Sequence, residues 1–485
     1  VADIVAAGDV FVGVSRAALE AMAAEKVTVL AGNEGYAGIF TPDKLESCRE
    51  TNFCCRECEQ IDEDKFLNDL AEASKMPLEK RELLGKFGRE MIFRYYSVAK
   101  MAEDCIKVYE SVIKPEQRIV LSGYYGFANS GDEAILSSLI SSIKSKYKRA
   151  EITVLSKSPA LTMYTHDCRA VDRFKIKDVW KTIKSCDVLV SGGGSLFQDR
   201  TSTRSLWYYS LIVYLAEKMG KRVMIYANGI GPIYKKQNRR IVAKVVEKAD
   251  VITLRDENSL EELRNMGVFR EDIHITSDPV FMINPAPEER VNEIFEKKGI
   301  PLDKPVIMIS IRNWDSIEGF NKKVAQLCDA LCDRYSCNIV FLAMQIPDDV
   351  MISRKAKEYM EHQAYLLDEQ YTSEELAGII GKAQFAVAMR LHALIFAAKM
   401  GVPFVEIVYD PKVKYYLDIL QMHQAGTAET FDYLGAVNIT SAVIDDIKTY
   451  RDKLIKKTKE LTVLAQENTD YLTALIDEAV GEKEK

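Results

Sequence analysis

Arg390 and His392 stand two residues apart where the apolar run FAVA (residues 385–388) gives way to LHALIFAAKMG. The run is short and flanked by Gly381 and Lys382, which suits a buried parallel strand. The segment after it reads as a helix, with Gly401 just past its end as a stop signal, and VPFVEIV reads as the next strand. In open α/β sheets ligands lie outside the carboxyl ends of the strands. A guanidinium, an imidazole and a helix N-terminus converging there suit an anion, most simply a phosphate. YDPKVKYY then brings Lys412 and Lys414 to the same rim. Singly, an arginine at a strand end is more often a surface charge and a lone histidine a satisfied structural residue. Their pairing at one junction, with a lysine returning one unit later, makes them site candidates.

Other strand ends carry similar chemistry. RIVLSG leads into GYYGFANSGDEA, where Gly123, Gly126 and Gly131 permit close backbone approach. Asn129 and Asp132 can orient hydroxyls there or cap the helix that starts near Gly131. Ala128 precedes Asn129 with no third glycine in place, so this is not the dinucleotide fingerprint and an NAD site is disfavoured. DVLVSGGGSLFQD puts Gly193 and Gly194 at a strand end, offering backbone N–H groups to an anion or a sugar. A tight turn is the bland alternative; Ser195, Gln198 and Asp199 immediately after it favour function. RVMIYANGIGP repeats the design with Asn228 and Gly229. VITLRDENS supplies Arg255 as a phosphate ligand and Asp256 as a candidate helix cap, and PVIMISIRNW ends in Arg312, Asn313 and Trp314.

RLHALIFA followed by GVPFVEIVYDPKV resembles the C-terminal signature of bacterial polysaccharide pyruvyl transferases. GYYGFANSGDEAIL, SGGGSLFQD, YANGIGP, TLRDENS and SDPVF agree with that family in order, across roughly residues 117–425. The resemblance implies transfer of a pyruvyl group from phosphoenolpyruvate to two hydroxyls of a cell-surface polysaccharide sugar, or of its lipid-linked precursor, as a cyclic ketal. His392 is then the expected proton carrier, with Arg390 beside it in the catalytic pair. Arg255, Arg390 and Lys412 would hold the donor's phosphate and carboxylate. Asn129, Asp132, Gly193, Gly194, Asn228, Gly229 and Arg312 complete the expected substrate-binding set. No redox cofactor and no metal is expected, and the reaction is placed in the cytoplasm, at the membrane face where the acceptor is lipid-linked. Two rivals remain: glycosyl transfer from a nucleotide sugar, and a non-catalytic carbohydrate-binding scaffold. Homo-oligomerisation is left open.

These motifs need a scaffold. The chain has 485 residues, too many for one core, with ordinary apolar (47%) and charged (28%) content. Its net charge of −7 and lack of a long basic run argue against nucleic acid as a partner. No apolar run approaches a membrane span, and no signal peptide is evident in a sequence that begins mid-pattern at Val1. The expected class is α/β, with two Rossmann-like parallel-sheet domains facing a cleft as in B-type glycosyltransferases. The first spans residues 117–285 and the second 286–435, divided at a linker around SDPVFMINPAPEE with prolines 279, 285 and 287. A C-terminal helix is expected over 436–485.

Residues 1–65 read as a partial α/β segment similar to a glycosyltransferase donor half. Ser15 is its expected helix cap and NEGYAG a glycine-rich loop. Glu20 matches that family's ribose-binding glutamate, but Val12 stands where a second glutamate is usual, so a remnant scaffold is favoured. Residues 66–116 read as a helical linker. Ten cysteines suit a reducing compartment. Cys48, Cys54, Cys55 and Cys58 cluster with one C-x-x-C pair, yet no second pair follows and reduced thiols are favoured over a metal.

Overall fold

The computed structural model describes residues 5, 7–56, 58–112, 117–312, 319–408 and 411–481. The chain forms two compact units, Val1–Pro115 and Glu116–Lys485.

In the first unit β1 (Val10–Gly13) pairs parallel with β2 (Val27–Gly32), and β2 pairs antiparallel with β3 (Gly35–Ile39). NEGYAG is therefore a hairpin turn running into a strand, not an open loop. The first helix, Ser15–Ala23, has Val14 at its cap position and no side-chain cap, so Ser15 does not cap it. Glu20 pairs with Arg16 on the exposed face. The stretch read as a linker is part of this unit's core. Ala73 and Met76 pack with Val27, Val29 and Tyr36, and Met91 packs with Ala18, Met22 and Phe53. Their helical spacing was visible in the sequence; the small sheet needing a cover was not. Burial pushes the Cys48 thiol up to about 11 and the Cys55 thiol up to about 12. Among the described residues no group of three or more His, Cys, Asp or Glu is arranged to hold a metal ion.

The second unit holds two separate, wholly parallel sheets. The first contains β4 (Arg118–Ser122), β5 (Glu151–Ser156), β6 (Arg169–Asp172), β7 (Val188–Gly192), β8 (Arg222–Asn228), β9 (Val251–Leu254) and β10 (Ile273–Ile275). Their spatial order is β10-β9-β8-β7-β4-β5-β6. The second contains β11 (Val306–Ser310), β12 (Asn338–Leu342), β13 (Ala364–Leu367), β14 (Phe385–Ala388), β15 (Phe404–Val408) and β16 (His423–Thr427), in the order β13-β12-β11-β14-β15-β16. The central strands VLVSG, VIMIS, NIVFL and FAVA are buried along their whole length. Such strands read as continuous apolar runs because helices cover both faces of a parallel sheet.

Two elements tie the sheets together, and neither behaves as the sequence suggests. The stretch read as a linker starts inside the core: Asp278 is fully buried and caps the short 3-10 turn Pro279–Met282, where Val280 and Phe281 are also fully buried. The C-terminal region is two helices, Tyr433–Asp445 and Ile447–Gly481. The second, 35 residues long, does not stay with the second sheet. Leu454, Leu461 and Ala465 pack among that sheet's residues, whereas Leu472, Leu475 and Ile476 complete the core beneath β4, β5, β7 and β8. Asn468 bridges them, donating to the Ser277 carbonyl (3.0 Å) and accepting from the Thr276 hydroxyl (2.8 Å).

Truncating a buried leucine leaves a cavity that costs about 2–5 kcal/mol. Leu472→Ala should therefore lower the unfolding free energy by that amount. An unchanged urea midpoint would show that the last helix merely lies against the first sheet.

Candidate functional site

Each sheet reverses its strand order once, between β4 and β7 in the first and between β11 and β14 in the second. Such switch points open a crevice at the strands' carboxyl ends. The loop after β4 ends at Asn129 and enters the helix that carries Asp132, and that after β7 carries Gly193 and Gly194. Arg312 follows β11, and Arg390 and His392 follow β14. The two crevices meet. Helix Ser130–Lys146 starts at the first and helix Leu391–Lys399 at the second, so two helix N-termini converge. The contact is intimate: a Cβ added to Gly131 would collide with Nδ1 of His392. Only a residue without a side chain lets the imidazole seat there.

Asp278 stands at the centre of the charge. Its Oδ2 accepts from Nη1 of Arg255 at 2.9 Å and lies 3.7 Å from Nε2 of His392, an ion-pair distance too long for a hydrogen bond. Oδ1 accepts from the Val280 N–H at 3.1 Å. Burial alone would raise this carboxyl, but His392, Arg255 and the Val280 amide outweigh it and hold it near 2. Arg255 is equally buried and also donates through Nη2 to the Ser195 hydroxyl at 3.2 Å. Burial would lower its pKa; the charges of Asp278 and Asp256 raise it instead.

Asp132 behaves in the opposite way. It is buried in the first turn of its helix, and a Cβ on Gly194 would come within 2.7 Å of its Oδ1. Burial drives its carboxyl up, and Glu133 and Asp278 add to that; His392 and Arg255 oppose, leaving it at about 7. Two carboxyls around one imidazole and one guanidinium are thus pushed apart, one permanently ionised and one protonated near neutrality. That separation is how one site obtains both an acid and a fixed negative charge.

The remaining sequence candidates fall into distinct places. Arg390 donates to Asp349 through Nε (3.0 Å) and Nη2 (2.5 Å), a fork–fork pair whose carboxylate is fully buried. Asp349 also accepts from the N–H groups of Met344 (3.2 Å) and Gln345 (3.0 Å). The carbonyl of Met344 in turn takes the Ser130 N–H at 3.0 Å, and Asn129 bridges to Gln345. Arg390 thereby braces the turn that receives the Asp132 helix. Asn129 caps that helix, accepting from the Gly131 N–H at 3.0 Å. Asn228 is fully buried and pins the glycine loop between the Ser191 carbonyl (3.1 Å) and the Leu196 N–H (3.4 Å). Gly229 donates to the Gly194 carbonyl at 2.9 Å, and a Cβ there would strike Ser195 and Arg255. Gly193 and Gly194 both have left-handed backbone, at φ 108° and 40°. Arg312 is half-buried at the end of β11. Lys412 starts the helix Pro411–Leu420, but its side chain, like Asn313 and Trp314, lies outside the described residues.

A model of the family described as "Polysaccharide pyruvyl transferase" matches residues 129–411. This chain belongs to that family. The matched stretch contains Asn129, Asp132, Arg255, Asp278, Arg390 and His392, so family membership and the converged site coincide. One relative is the amylovoran biosynthesis protein AmsJ of Erwinia amylovora. It is 21% identical over 353 residues, which cover 61% of this chain and 84% of AmsJ. Solved structures support the two-sheet fold. A Staphylococcus aureus MnaA–UDP structure aligns with a TM-score of 0.55 at 13% identity, over 74% of this chain and 98% of that one. The Anabaena Alr3699/HepE complex with UDP-glucose aligns with a TM-score of 0.51 at 11% identity, over 74% and 100%. At such identities the likeness concerns fold alone.

Asp278 and Asp349 are the site residues that the sequence reading missed. SDPVF agrees with the family pattern, yet its proline gives it the look of a linker. The available signal was an aspartate set directly before an apolar, proline-bearing turn. Tyr416 was also missed: it is buried beside Asp278 and Arg255, and burial keeps its phenol neutral.

The seating of His392 can be tested without touching it. Gly131→Ala should displace the imidazole, lowering turnover by roughly 10²-fold or more, in the range expected from losing a positioned acid–base group. Its melting temperature should fall by only a few degrees. Wild-type turnover in a folded variant would show that His392 does not need this seat.

Proposed function

We propose that this chain transfers the pyruvyl group of phosphoenolpyruvate to two hydroxyls of a polysaccharide sugar or its lipid-linked precursor. The observation that carries the reading is the meeting of two helix N-termini around Asp132, His392, Arg255 and Asp278. Helix N-termini and an arginine suit a donor that carries both a phosphate and a carboxylate.

The chemistry requires one proton delivered to carbon three of the enol and two removed from sugar hydroxyls. Asp132, protonated near neutrality, supplies the first. Carbon two becomes electron-deficient and is attacked by one hydroxyl while His392 takes its proton; Asp278 stays ionised and steadies the resulting imidazolium. The carbon–oxygen bond to phosphate then breaks, the second hydroxyl closes the ketal, and its proton leaves with phosphate. Arg255 neutralises charge on the departing group. Arg390 is a positioning residue that acts through Asp349, Lys412 is a further donor ligand, and Arg312 belongs to the substrate-binding set. No redox step occurs. Lipid linkage of the acceptor would place the work at a membrane face. Among the described residues, no helix is long and apolar enough to cross a membrane.

The direct assay incubates the protein with labelled phosphoenolpyruvate and a panel of lipid-linked and nitrophenyl glycosides. Label in the glycan together with released phosphate is expected; turnover that needs a nucleotide sugar instead would overturn the reading.

The Asp132 role has its own signature. Because the proton donor is the protonated form, turnover should fall about tenfold per pH unit above roughly pH 7. Asp132→Asn should lose about 10²- to 10⁴-fold and lack that limb. Stability should follow the same group. A folded-state pKa raised above the unfolded value contributes stability that is present below about pH 4 and lost as pH rises through about 7. Wild type should therefore lose melting temperature between pH 5 and 8 relative to Asp132→Asn. Parallel stability curves for the two proteins would exclude a raised Asp132.

A further inference from the structure

Arg173 follows β6, at the same carboxyl edge of the first sheet as the loops after β4 and β7, and it is 5% exposed. Among the described residues, the buried arginines are Arg173 and Arg255. Arg255 has Asp278; Arg173 has no carboxylate. Nη1 donates to the Gly123 carbonyl (3.0 Å) and the Tyr209 hydroxyl (3.1 Å), while Nε is buried without a partner. The Nε donor is thus left unused at the heart of a buried guanidinium.

Burying a charge is costly unless it is paired. Here the compensation comes from rings. The guanidinium carbon lies 4.2 Å from the centre of Tyr208, 5.0 Å from Tyr209, 5.1 Å from Phe127 and 5.8 Å from Phe174. Ring faces attract a cation and leave its hydrogen-bond donors free. Phe174 is 59% exposed, and the exposed Lys157 has its ammonium 5.1 Å from the same ring. Phe127 stacks on the half-buried Tyr124 at 4.0 Å and 7°. Two cations, the exposed Phe174 and the half-buried Tyr124–Phe127 stack therefore line one rim, beside the loop that leads into the Asp132 helix.

We propose that this rim is an acceptor subsite for an anionic sugar, with Phe174 and the Tyr124–Phe127 pair offering faces to the ring and Arg173 and Lys157 taking its phosphate or carboxylate. This names the acceptor class for the transfer proposed above, but binding itself does not depend on that transfer. A guanidinium packed only to staple the loops would not leave its Nε buried and unpartnered among rings.

The test is calorimetric titration of the whole chain with N-acetylglucosamine 1-phosphate, glucuronic acid and neutral N-acetylglucosamine. Wild type should bind a charged sugar about 10- to 150-fold more tightly than the neutral one, the range for one hydrogen bond to a charged group. Preference for the phosphate or for the carboxylate identifies which source of negative charge the rim reads. Arg173→Met should abolish the preference. Lys157→Met and Phe174→Ala, on exposed side chains, should each weaken charged-sugar binding severalfold without altering the melt. Equal affinity for charged and neutral sugars in wild type overturns the proposal. So does an undiminished preference in a folded Arg173→Met protein. Should that variant not fold, undiminished preference in both Arg173→Lys and Lys157→Met is equally fatal. In turnover assays the Arg173 change should raise the acceptor KM and leave the phosphoenolpyruvate KM alone; the reverse would place Arg173 in the donor site and sink the subsite. Anion-selective sugar binding with no pyruvyl transfer would defeat the reading of the reaction and leave this one standing.

Discussion

A fully buried carboxylate cannot stay ionised by itself, and much of the second unit is arranged around that constraint. Asp278 is held charged by Arg255 from the end of β9 and by His392 from the helix after β14. The first partner belongs to one sheet and the second to the other. Removing Arg255 would strand a buried charge, an outcome that typically costs several kcal/mol. The pair of sheets is therefore joined at the point of chemistry by an electrostatic requirement as well as by apolar packing. The same requirement sets the imidazole's place, and Gly131 makes room for it.

A second buried pair repeats the logic one layer out. Arg390 and Asp349 touch no described group of the Asp132–His392–Asp278 cluster in their hydrogen bonding, yet they fold the turn after β12 that receives the Ser130 amide. Two arginines of the family signature thus have carboxylate partners supplied by elements remote in sequence. A motif shows which residue carries positive charge but not whether that charge is already spoken for.

That distinction explains what was legible. Apolar runs ending in Gly, Asn, Arg or His marked β4, β7, β8, β9, β11 and β14, because a buried parallel strand and a strand-end loop each have a composition of their own. The short β6, β10, β13 and β16 lacked it; half-buried RAVD and AYLL look like any mixed segment. Asp278 hid in a proline-bearing stretch that resembles a linker, since burial is a property of the neighbours and not of the residue. Residues 66–112 were correctly helical and wrongly independent. An amphipathic helix announces that it has a partner, but the partner, the small sheet of β1, β2 and β3, was too short to look as if it needed one. Arg173 drew no attention because an unpaired arginine becomes unusual only once its burial is known.

The last helix has a consequence for how the protein is made. Leu472 and Ile476 belong to the core of a sheet whose final strand ends at Ile275, so about 200 residues are synthesised between that strand and its covering helix. At roughly 5–20 residues per second, the first sheet waits on the order of 10–40 s on the ribosome with part of one apolar face uncovered. Of the two parallel sheets, the one that begins first is completed last. A chain stopped anywhere before residue 472 would leave that face open, a condition that chaperones and proteases recognise.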